Sequence, residues 1–252
     1  MREVVVAKDK TELTQIAAER FVDIAETAIV KTDRFAVALS GGSTPRALYS
    51  LLSSAFQDAI DWNKVFFCFG DERDVLSDDD ESNFRMARET LFRPLLIADS
   101  NVFRWRTDLN DVDKTVDDYQ KHLTDQFDLS SGEFPVFDLI LLGMGPDGHT
   151  ASLFPETEAL NETERTVTKN RVEKLNTWRF TFTFPTINSA KNVMFLATGD
   201  EKADVLKQVL EGLKNCSLLP SQCVDPQNGN LVWLVDSTAA SLLDKGTVTI
   251  HN

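Results

Sequence analysis

Residues Phe137 to Pro155 read FDLILLGMGPDGHTASLFP, an apolar run that passes into a glycine-rich turn and its histidine, His149. The leucine- and isoleucine-rich run from 137 to 142 predicts a buried strand. The turn that follows contains Gly143, Gly145 and Gly148. Glycine lets a backbone turn tightly and approach a ligand closely, and an open α/β sheet binds its ligand where such strands end. His149, one of three histidines in the chain, is therefore the first candidate for catalysis.

The three glycines also match the G-x-G-x-x-G pattern of dinucleotide-binding loops. That pattern requires a regular helix from the third glycine onward, because the first amides of the helix hold the pyrophosphate. Pro146 interrupts the loop and Pro155 follows soon after, which leaves barely two turns for a helix. Residues 156–176 are polar and irregular, so no strand with a terminal acidic residue is predicted there. We therefore reject a dinucleotide site; a structural turn with a surface histidine is the other alternative.

Length and composition predict one compact domain over residues 1–252. Of 252 residues, 42% are hydrophobic, which is enough for a full core. No apolar run approaches the ~20 residues of a membrane helix. The first residues resemble neither a signal sequence nor a transit peptide, and the final TVTIHN holds no sorting tripeptide. We expect a cytoplasmic protein without a membrane partner.

The net charge and the spacing of the cysteines limit the partners and the metal sites that we expect. A net charge of −14 argues against a nucleic-acid partner, which needs a basic surface. A bound anionic small molecule would have to be neutralised locally, by helix amides and a few cations. Cys68, Cys216 and Cys223 show no C-x-x-C spacing, so free thiols are predicted, with neither a disulfide nor a metal site.

Alternating helical and strand-like segments predict a doubly wound α/β fold. In residues 10–31, apolar side chains recur at three- and four-residue spacing, which indicates an amphipathic helix. Further helices are predicted at 83–92, 112–127, 201–213 and 237–243, together with one that opens at Pro45. Strands are predicted at 35–39, 65–69, 137–142, 193–198 and 231–235. Because several strands are continuously apolar, we expect a Rossmann-like, mainly parallel sheet with helices on both faces.

The segment SGGSTP, directly after strand 35–39, predicts a phosphate-binding loop. Its candidate binding residues are Gly41, Gly42, Ser43 and Thr44. The glycines expose backbone amides, and one of the two hydroxyl residues is expected to cap a helix whose first turn holds Pro45. Amides, hydroxyls and the positive helix end suit a phosphate. The lysine of a Walker A loop is missing, which favours a monophosphate over a nucleoside triphosphate, and an ordinary capped turn is the alternative.

Charged residues follow two other predicted strands. GDER follows strand 65–69, and its Arg73 can pair with a ligand anion. Asp71 and Glu72 can orient the ligand or accept hydrogen bonds from its hydroxyls. ATGDEK places Lys202 in the first turn of a helix, where its charge opposes the helix dipole and needs an anionic partner. The alternatives are that GDER is a solvated charge cluster and that Lys202 is an ordinary surface lysine. In a parallel sheet, however, the ends of these two strands and of the two strands described above all open on one edge, as in α/β active sites.

Five segments, in this order, resemble the 6-phosphogluconolactonases over nearly the whole chain. They are SGGSTP, GDER with the later SNFRMARETLF, GMGPDGHTASLFP, RFTFTFPTINSA and ATGDEK. The resemblance implies a fold related to glucosamine-6-phosphate deaminase and, more distantly, to ribose-5-phosphate isomerase. Two features favour the lactonase over the deaminase. Arg73 stands where the deaminase typically has tyrosine, and residues 150–155 differ from the deaminase sequence after the histidine.

The resemblance implies hydrolysis of 6-phospho-D-glucono-1,5-lactone to 6-phosphogluconate, the second step of the oxidative pentose phosphate pathway. It implies His149 as the general base that deprotonates water, with Asp147 to orient the imidazole or its water. Arg73, Lys202 and Arg179 are implied as partners of the phosphate or of the developing oxyanion. A monomer without metal or organic cofactor is also implied. The chain has no G-x-S-x-G nucleophile elbow, which agrees with direct attack by water.

Two other functions remain open. The first is a deaminase or aldose–ketose isomerase acting on an amino sugar phosphate, in which Asp71 transfers the proton. The second is a phosphosugar sensor that binds without turnover. The presence of His149 and Arg73 argues against the sensor, although residues alone do not establish their geometry.

Overall fold

The computed structural model describes residues 2–248, and their backbone forms two β-sheets. The strands, in chain order, are β1 Arg2–Ala7, β2 Phe35–Leu39, β3 Val65–Phe69, β4 Asp71–Arg73, β5 Leu139–Leu142, β6 Val167–Val172, β7 Thr177–Phe182, β8 Asn192–Ala197 and β9 Asn230–Asp236. The larger sheet has the order β1-β9-β8-β5-β2-β3, and every neighbouring pair in it is parallel. The predicted mainly parallel α/β fold is confirmed.

Helices connect these strands. They are α1 Lys10–Thr32, α2 Ser43–Leu52, α3 Asn83–Ala87, α4 Val112–Phe127, α5 Phe184–Asn188 and α6 Ala203–Glu211. Helix α1 begins where the Asp9 carboxylate accepts a hydrogen bond from the Glu12 amide (3.0 Å), and it ends at Asp33, whose backbone is left-handed. Helix α4 has its predicted bounds, and α3 continues through a π-helical turn at 88–92 to fill the predicted helix 83–92.

The second sheet is antiparallel, has the order β4-β7-β6 and is missing from the sequence-based prediction. The expectation that residues 156–176 are irregular is wrong, because they contain strand β6. This strand reads VTKNRV, so its hydrophobic alternation is too weak to indicate a strand. Its pairing with β7 along the whole strand provides the backbone hydrogen bonds that stabilise it.

The start of α2 differs from its predicted capping. Gly42 is the N-cap residue, and Ser43 and Thr44 already lie in the first turn, so neither hydroxyl caps the helix. Both hydroxyls have other partners: Ser43 Oγ accepts a hydrogen bond from Lys10 Nζ (3.3 Å), and Thr44 Oγ1 lies 3.0 Å from Thr198 Oγ1. The first amides of α2 therefore donate no hydrogen bond to a capping side chain.

Two helix predictions in the last fifth of the chain are corrected. The predicted helix 201–213 is shorter, since α6 is preceded by a 3-10 turn at 200–202 and ends before Gly212. The predicted helix 237–243 is wrong, because these residues form turns. There the Asp236 carboxylate accepts hydrogen bonds from the Ala239 amide (2.8 Å) and the Thr238 hydroxyl (2.9 Å), and such local bonds compete with a helix.

One hydrophobic core joins both sheets. Trp105 stacks on Tyr119 of α4, with ring centroids 3.9 Å apart, and on Phe180 of β7 at 5.5 Å. Trp105 Nε1 also donates a hydrogen bond to the carbonyl of Phe69 at the end of β3 (3.1 Å). The small sheet therefore packs on the same hydrophobic core as the strand ends of the large sheet.

The cysteine prediction is wrong for two of the three residues. Cys216 and Cys223 form a disulfide, with their Cα atoms 5.5 Å apart. A local turn, in which the Leu219 amide donates to the Asn215 carbonyl (2.8 Å), helps to bring them together, and cysteine spacing alone does not reveal it. Cys68 is a free, buried thiol as predicted, and burial raises its pKa to about 12.

No helix within residues 2–248 is long and apolar enough to cross a membrane. The final three residues, on which the prediction about a sorting tripeptide depends, lie outside the described residues.

Candidate active site

Four loops meet at the carboxyl edge of the parallel sheet, because β8, β5, β2 and β3 lie side by side in that order. Together they line a cavity of about 210 Å³. The predicted site residues in its walls are Gly41, Gly42, Ser43, Thr44, Asp71, Arg73, His149 and Lys202. An adjoining cavity of about 430 Å³ shares Asp71, Arg73 and His149 and adds the remaining two predicted residues, Asp147 and Arg179. The structure thus brings all the predicted site residues to one place.

His149 is held in one orientation by the loop that carries it. Its Nδ1 lies 2.5 Å from Asp147 Oδ1, and its ring stacks on Phe154 with a centroid distance of 4.1 Å. A Cβ atom at Gly145 would collide with the imidazole, so only glycine lets the ring lie against the loop backbone. About a quarter of the His149 side chain, 25%, stays exposed, which keeps the ring open to the cavity.

Asp147 places a negative charge beside this imidazole. Burial acts to raise the pKa of its carboxyl group, but hydrogen bonds from His149 and Lys174 outweigh burial and hold the pKa well below its usual range. An ionised carboxylate only accepts hydrogen bonds, so Nδ1 of His149 must carry the proton. Nε2 then keeps its lone pair and can accept a proton.

Lys174 belongs to the site, although no sequence pattern selects it. It lies in the 3-10 turn Glu173–Leu175 between β6 and β7, and it lines the larger cavity. Its Nζ donates a hydrogen bond to Asp147 Oδ2 and lies 5.0 Å from the centroid of the Phe154 ring. No sequence pattern links Lys174 to Asp147, because 27 positions separate the two residues along the chain.

Other residues in the wall of the smaller cavity are suited to bind an anion. Gly42 has a φ of 106°, which favours glycine, and it opens α2 without a capping side chain. Tyr49 fixes the strand end before this loop, because its hydroxyl accepts from the Ser40 amide (3.0 Å) and donates to the Ser40 carbonyl (2.8 Å). Lys202 lines the same cavity, at the residue before α6, and burial lowers the pKa of its ammonium. Unpaired amides and a partly desolvated ammonium together favour an anionic ligand.

Two arginines of the second sheet contribute to the cavity walls. Arg73 of β4 lies opposite Arg179 of β7 in the antiparallel register. Burial, followed by the nearby charge of Arg73, lowers the pKa of the Arg179 guanidinium. Arg73 Nη1 donates a hydrogen bond to the Glu81 carbonyl (2.6 Å), which orients its side chain. Two adjacent guanidinium groups provide a second place for negative charge.

Asp71 and Glu72 have different environments. Asp71 is buried and accepts hydrogen bonds from Ser152 Oγ (2.8 Å) and Asn83 Nδ2 (3.3 Å), yet it lines both cavities. Gly41 is required for this arrangement, because a Cβ there would displace the Asn83 amide. Glu72 accepts the amides of Asn83 (2.8 Å) and Phe84 (2.9 Å) at the start of α3. These hydrogen bonds do not support the prediction that Glu72 contacts the ligand.

Within residues 2–248, no group of three or more histidine, cysteine or acidic side chains is arranged to hold a metal ion. The described geometry defines a class: an α/β protein with a cationic cavity and a histidine–carboxylate pair at the carboxyl edge of its parallel sheet. The chain belongs to the family described as glucosamine-6-phosphate isomerases/6-phosphogluconolactonase, whose family model matches residues 8–233.

Curated relatives and solved structures agree with this assignment. The chain is 38% identical to a 6-phosphogluconolactonase of Nostoc sp., over 94% of this chain and 97% of the relative. It is 40% identical to the human 6-phosphogluconolactonase, over 83% and 81% of the two chains. The structure of 6-phosphogluconolactonase from Trypanosoma cruzi superposes with a TM-score of 0.88 at 32% identity and covers 96% and 97%. A monomeric glucosamine-6-phosphate deaminase, 22% identical with a TM-score of 0.78, shares the fold.

Proposed function

We propose that this chain hydrolyses 6-phospho-D-glucono-1,5-lactone to 6-phospho-D-gluconate, the second step of the oxidative pentose phosphate pathway. The observation that carries the proposal is the Asp147–His149 pair, whose imidazole lines the same cavity as Lys202 and the uncapped start of α2. The names of relatives that align over most of the chain support the same activity.

The proposed chemistry is attack by water with His149 as general base. Nε2 of His149 removes a proton from water while the water oxygen bonds to C1 of the lactone. The bond between C1 and the ring oxygen then breaks, and the imidazolium returns its proton to that oxygen. This transfer leaves the imidazole neutral and ready for another turnover, and the new carboxylic acid loses its own proton to solvent. Asp147 holds the proton on Nδ1 throughout, so Nε2 is the nitrogen that reacts.

The substrate phosphate is assigned to the Gly42–Thr44 amides and Lys202. These groups line the smaller cavity, and a helix N-terminus with a lysine suits a dianion. Arg73 and Arg179 are assigned to the oxyanion that develops at C1, because both line the cavity that also contains His149 and Asp147. Asp71, fixed by Ser152, is assigned to a substrate hydroxyl.

The decisive measurement is hydrolysis of freshly made lactone, corrected for spontaneous ring opening. His149→Asn should lower kcat by roughly 10² to 10⁴, the usual contribution of a general base, while calorimetric affinity for 6-phosphogluconate stays close to wild type. His122→Asn is the matched control, because His122 is an exposed histidine of α4 that pairs with Asp118. Turnover of the His149 variant at the wild-type rate would exclude His149 as the base.

The same preparation separates the two alternative functions. Ammonia release from glucosamine 6-phosphate, abolished by Asp71→Asn, would indicate a deaminase. Binding of 6-phosphogluconate without any acceleration of lactone opening would indicate a sensor.

The remaining proposals concern the location, oligomeric state, domain organisation and cofactors of the protein. We propose a cytoplasmic monomer in which residues 1–252 act as one domain without metal or organic cofactor. The shared core of the two sheets supports a single domain. Light scattering after size-exclusion chromatography tests the monomer, and cell fractionation tests the location. Unchanged turnover after dialysis against a chelator would agree with a metal-independent reaction.

A further inference from the structure

Three polar groups from two sheets form a continuous row at the site. Nδ1 of His149 lies 2.5 Å from Oδ1 of Asp147, and the other carboxylate oxygen, Oδ2, accepts a hydrogen bond from Lys174 Nζ. Each oxygen of Asp147 therefore has its own cationic or polar partner. His149 and Asp147 come from the loop after β5, whereas Lys174 comes from the turn between β6 and β7.

We propose that Lys174 is a positioning residue for lactone hydrolysis, because it fixes the carboxylate that orients His149. The inference rests on the proposed function and adds a residue to its machinery. A carboxylate bound at one oxygen can rotate about its last side-chain bond, which would weaken the short contact to Nδ1. A second hydrogen bond at the other oxygen removes that freedom, and charge-assisted bonds of this kind are the stronger ones.

Phe154 provides a second contact between the lysine and the histidine. The aromatic ring stacks on His149 with a centroid distance of 4.1 Å and an interplanar angle of 22°, and Lys174 Nζ lies 5.0 Å from the same ring. Such a cation–π contact favours the position of Lys174 that also reaches Asp147. The lysine is 54% exposed, so its position depends on these two contacts rather than on burial.

The test compares Lys174→Met with Lys174→Arg, which can still reach the carboxylate. We expect the methionine variant to lower kcat roughly tenfold at pH 7 and to leave KM within about twofold. The arginine variant should recover most of the activity. Lys169→Met is the matched control, since Lys169 also pairs with an aspartate, Asp113 (2.5 Å), and lies 5.3 Å from an aromatic ring, Trp178.

A double-mutant cycle shows whether Lys174 acts through Asp147. In the Asp147→Asn background, Lys174→Met should cause little further loss of kcat. Equal losses in both backgrounds, or a tenfold rise in KM at unchanged kcat, would each overturn the proposal.

A measurement without substrate separates this inference from the proposed function. Long-range ¹H–¹⁵N spectra, assigned with His149→Asn, report which ring nitrogen carries the proton. The wild type should show the Nδ1–H tautomer of His149, and Lys174→Met should show a mixture. If the wild type does not hydrolyse the lactone but this change occurs, the proposed reaction fails and the positioning contact stands. If the tautomer is unchanged in Lys174→Met, the positioning role is refuted.

Discussion

Gly145→Ala should displace the catalytic base without removing any functional group. The backbone of Gly145 is not left-handed, so alanine is tolerated there by the main chain. Its new Cβ, however, would lie within 3.0 Å of two His149 ring atoms, and 2.9 Å from Asp147 Oδ1. Carbon atoms pack at about 3.5 to 4.0 Å, so the ring must move by about 1 Å or more.

A shift of this size predicts a specific kinetic result. Misplacement of a catalytic group by about 1 Å costs roughly 10² in rate, so kcat should fall about a hundredfold. The nearest neighbours of the new methyl group belong to His149 and Asp147 and not to the assigned phosphate-binding groups, so affinity for 6-phosphogluconate should change little. Overpacking typically destabilises by about 1 to 3 kcal/mol, which predicts a folded protein with a lower Tm.

The assay compares kcat, KM and product affinity for Gly145→Ala and for Gly246→Ala. Gly246 is the control, because no atom lies within 4 Å of a Cβ placed there and the residue lines neither cavity. We expect the Gly246 variant to keep wild-type kcat. If Gly145→Ala keeps wild-type turnover, or if both variants lose it equally, the position of the imidazole does not limit catalysis and the reasoning is refuted.

Two further predictions address the phosphate and the carboxylate. Lys202→Ala should weaken calorimetric binding of 6-phosphogluconate roughly 10- to 100-fold, the usual effect of a lost charge-assisted bond, but leave binding of unphosphorylated gluconate unchanged; equal effects on both ligands would reject the phosphate assignment. Asp147 has a pKa held below its ordinary 3.8, so its stabilisation is present above that value and is lost as pH falls through the folded-state pKa. The difference in free energy of unfolding between wild type and Asp147→Asn, from urea denaturation, should therefore be constant above about pH 5 and shrink below pH 4; a difference that grows at low pH would contradict this sign.

The parallel sheet was predictable because its central strands are buried on both faces. Strand β2 is buried at every position, and the same holds for β5, so each reads as a continuous apolar run. Most strand bounds in the large sheet agree with the prediction within two residues. The first strand, Arg2–Ala7, was missed in the prediction although it reads REVVVA, because an edge position and a short apolar run give a weak signal.

Most of the predicted site residues share one local signal, which is a glycine or a charge soon after a buried strand; Arg179, which lies within β7, was implied only by the resemblance. That signal is enough to select His149, Lys202 and Arg73, since a parallel sheet brings all its carboxyl ends to one edge. It is not enough to divide the cations between phosphate and oxyanion. That assignment depends on which side of the cavity each residue faces, and the proposed division uses the two cavity linings.

The sequence by itself determined the features that depend on neighbours along the chain: buried strands, tight glycine turns, charged strand ends and the resemblance carried by five segments. Only the tertiary structure decided the features that depend on distant residues. The second sheet forms because β6 pairs with β7. Lys174 and Asp147 are 27 positions apart in the sequence, and they come into contact only because this β6–β7 hairpin lies beside the large sheet. Local patterns record whether a residue is buried, whereas contact between distant residues is set by how the whole chain packs.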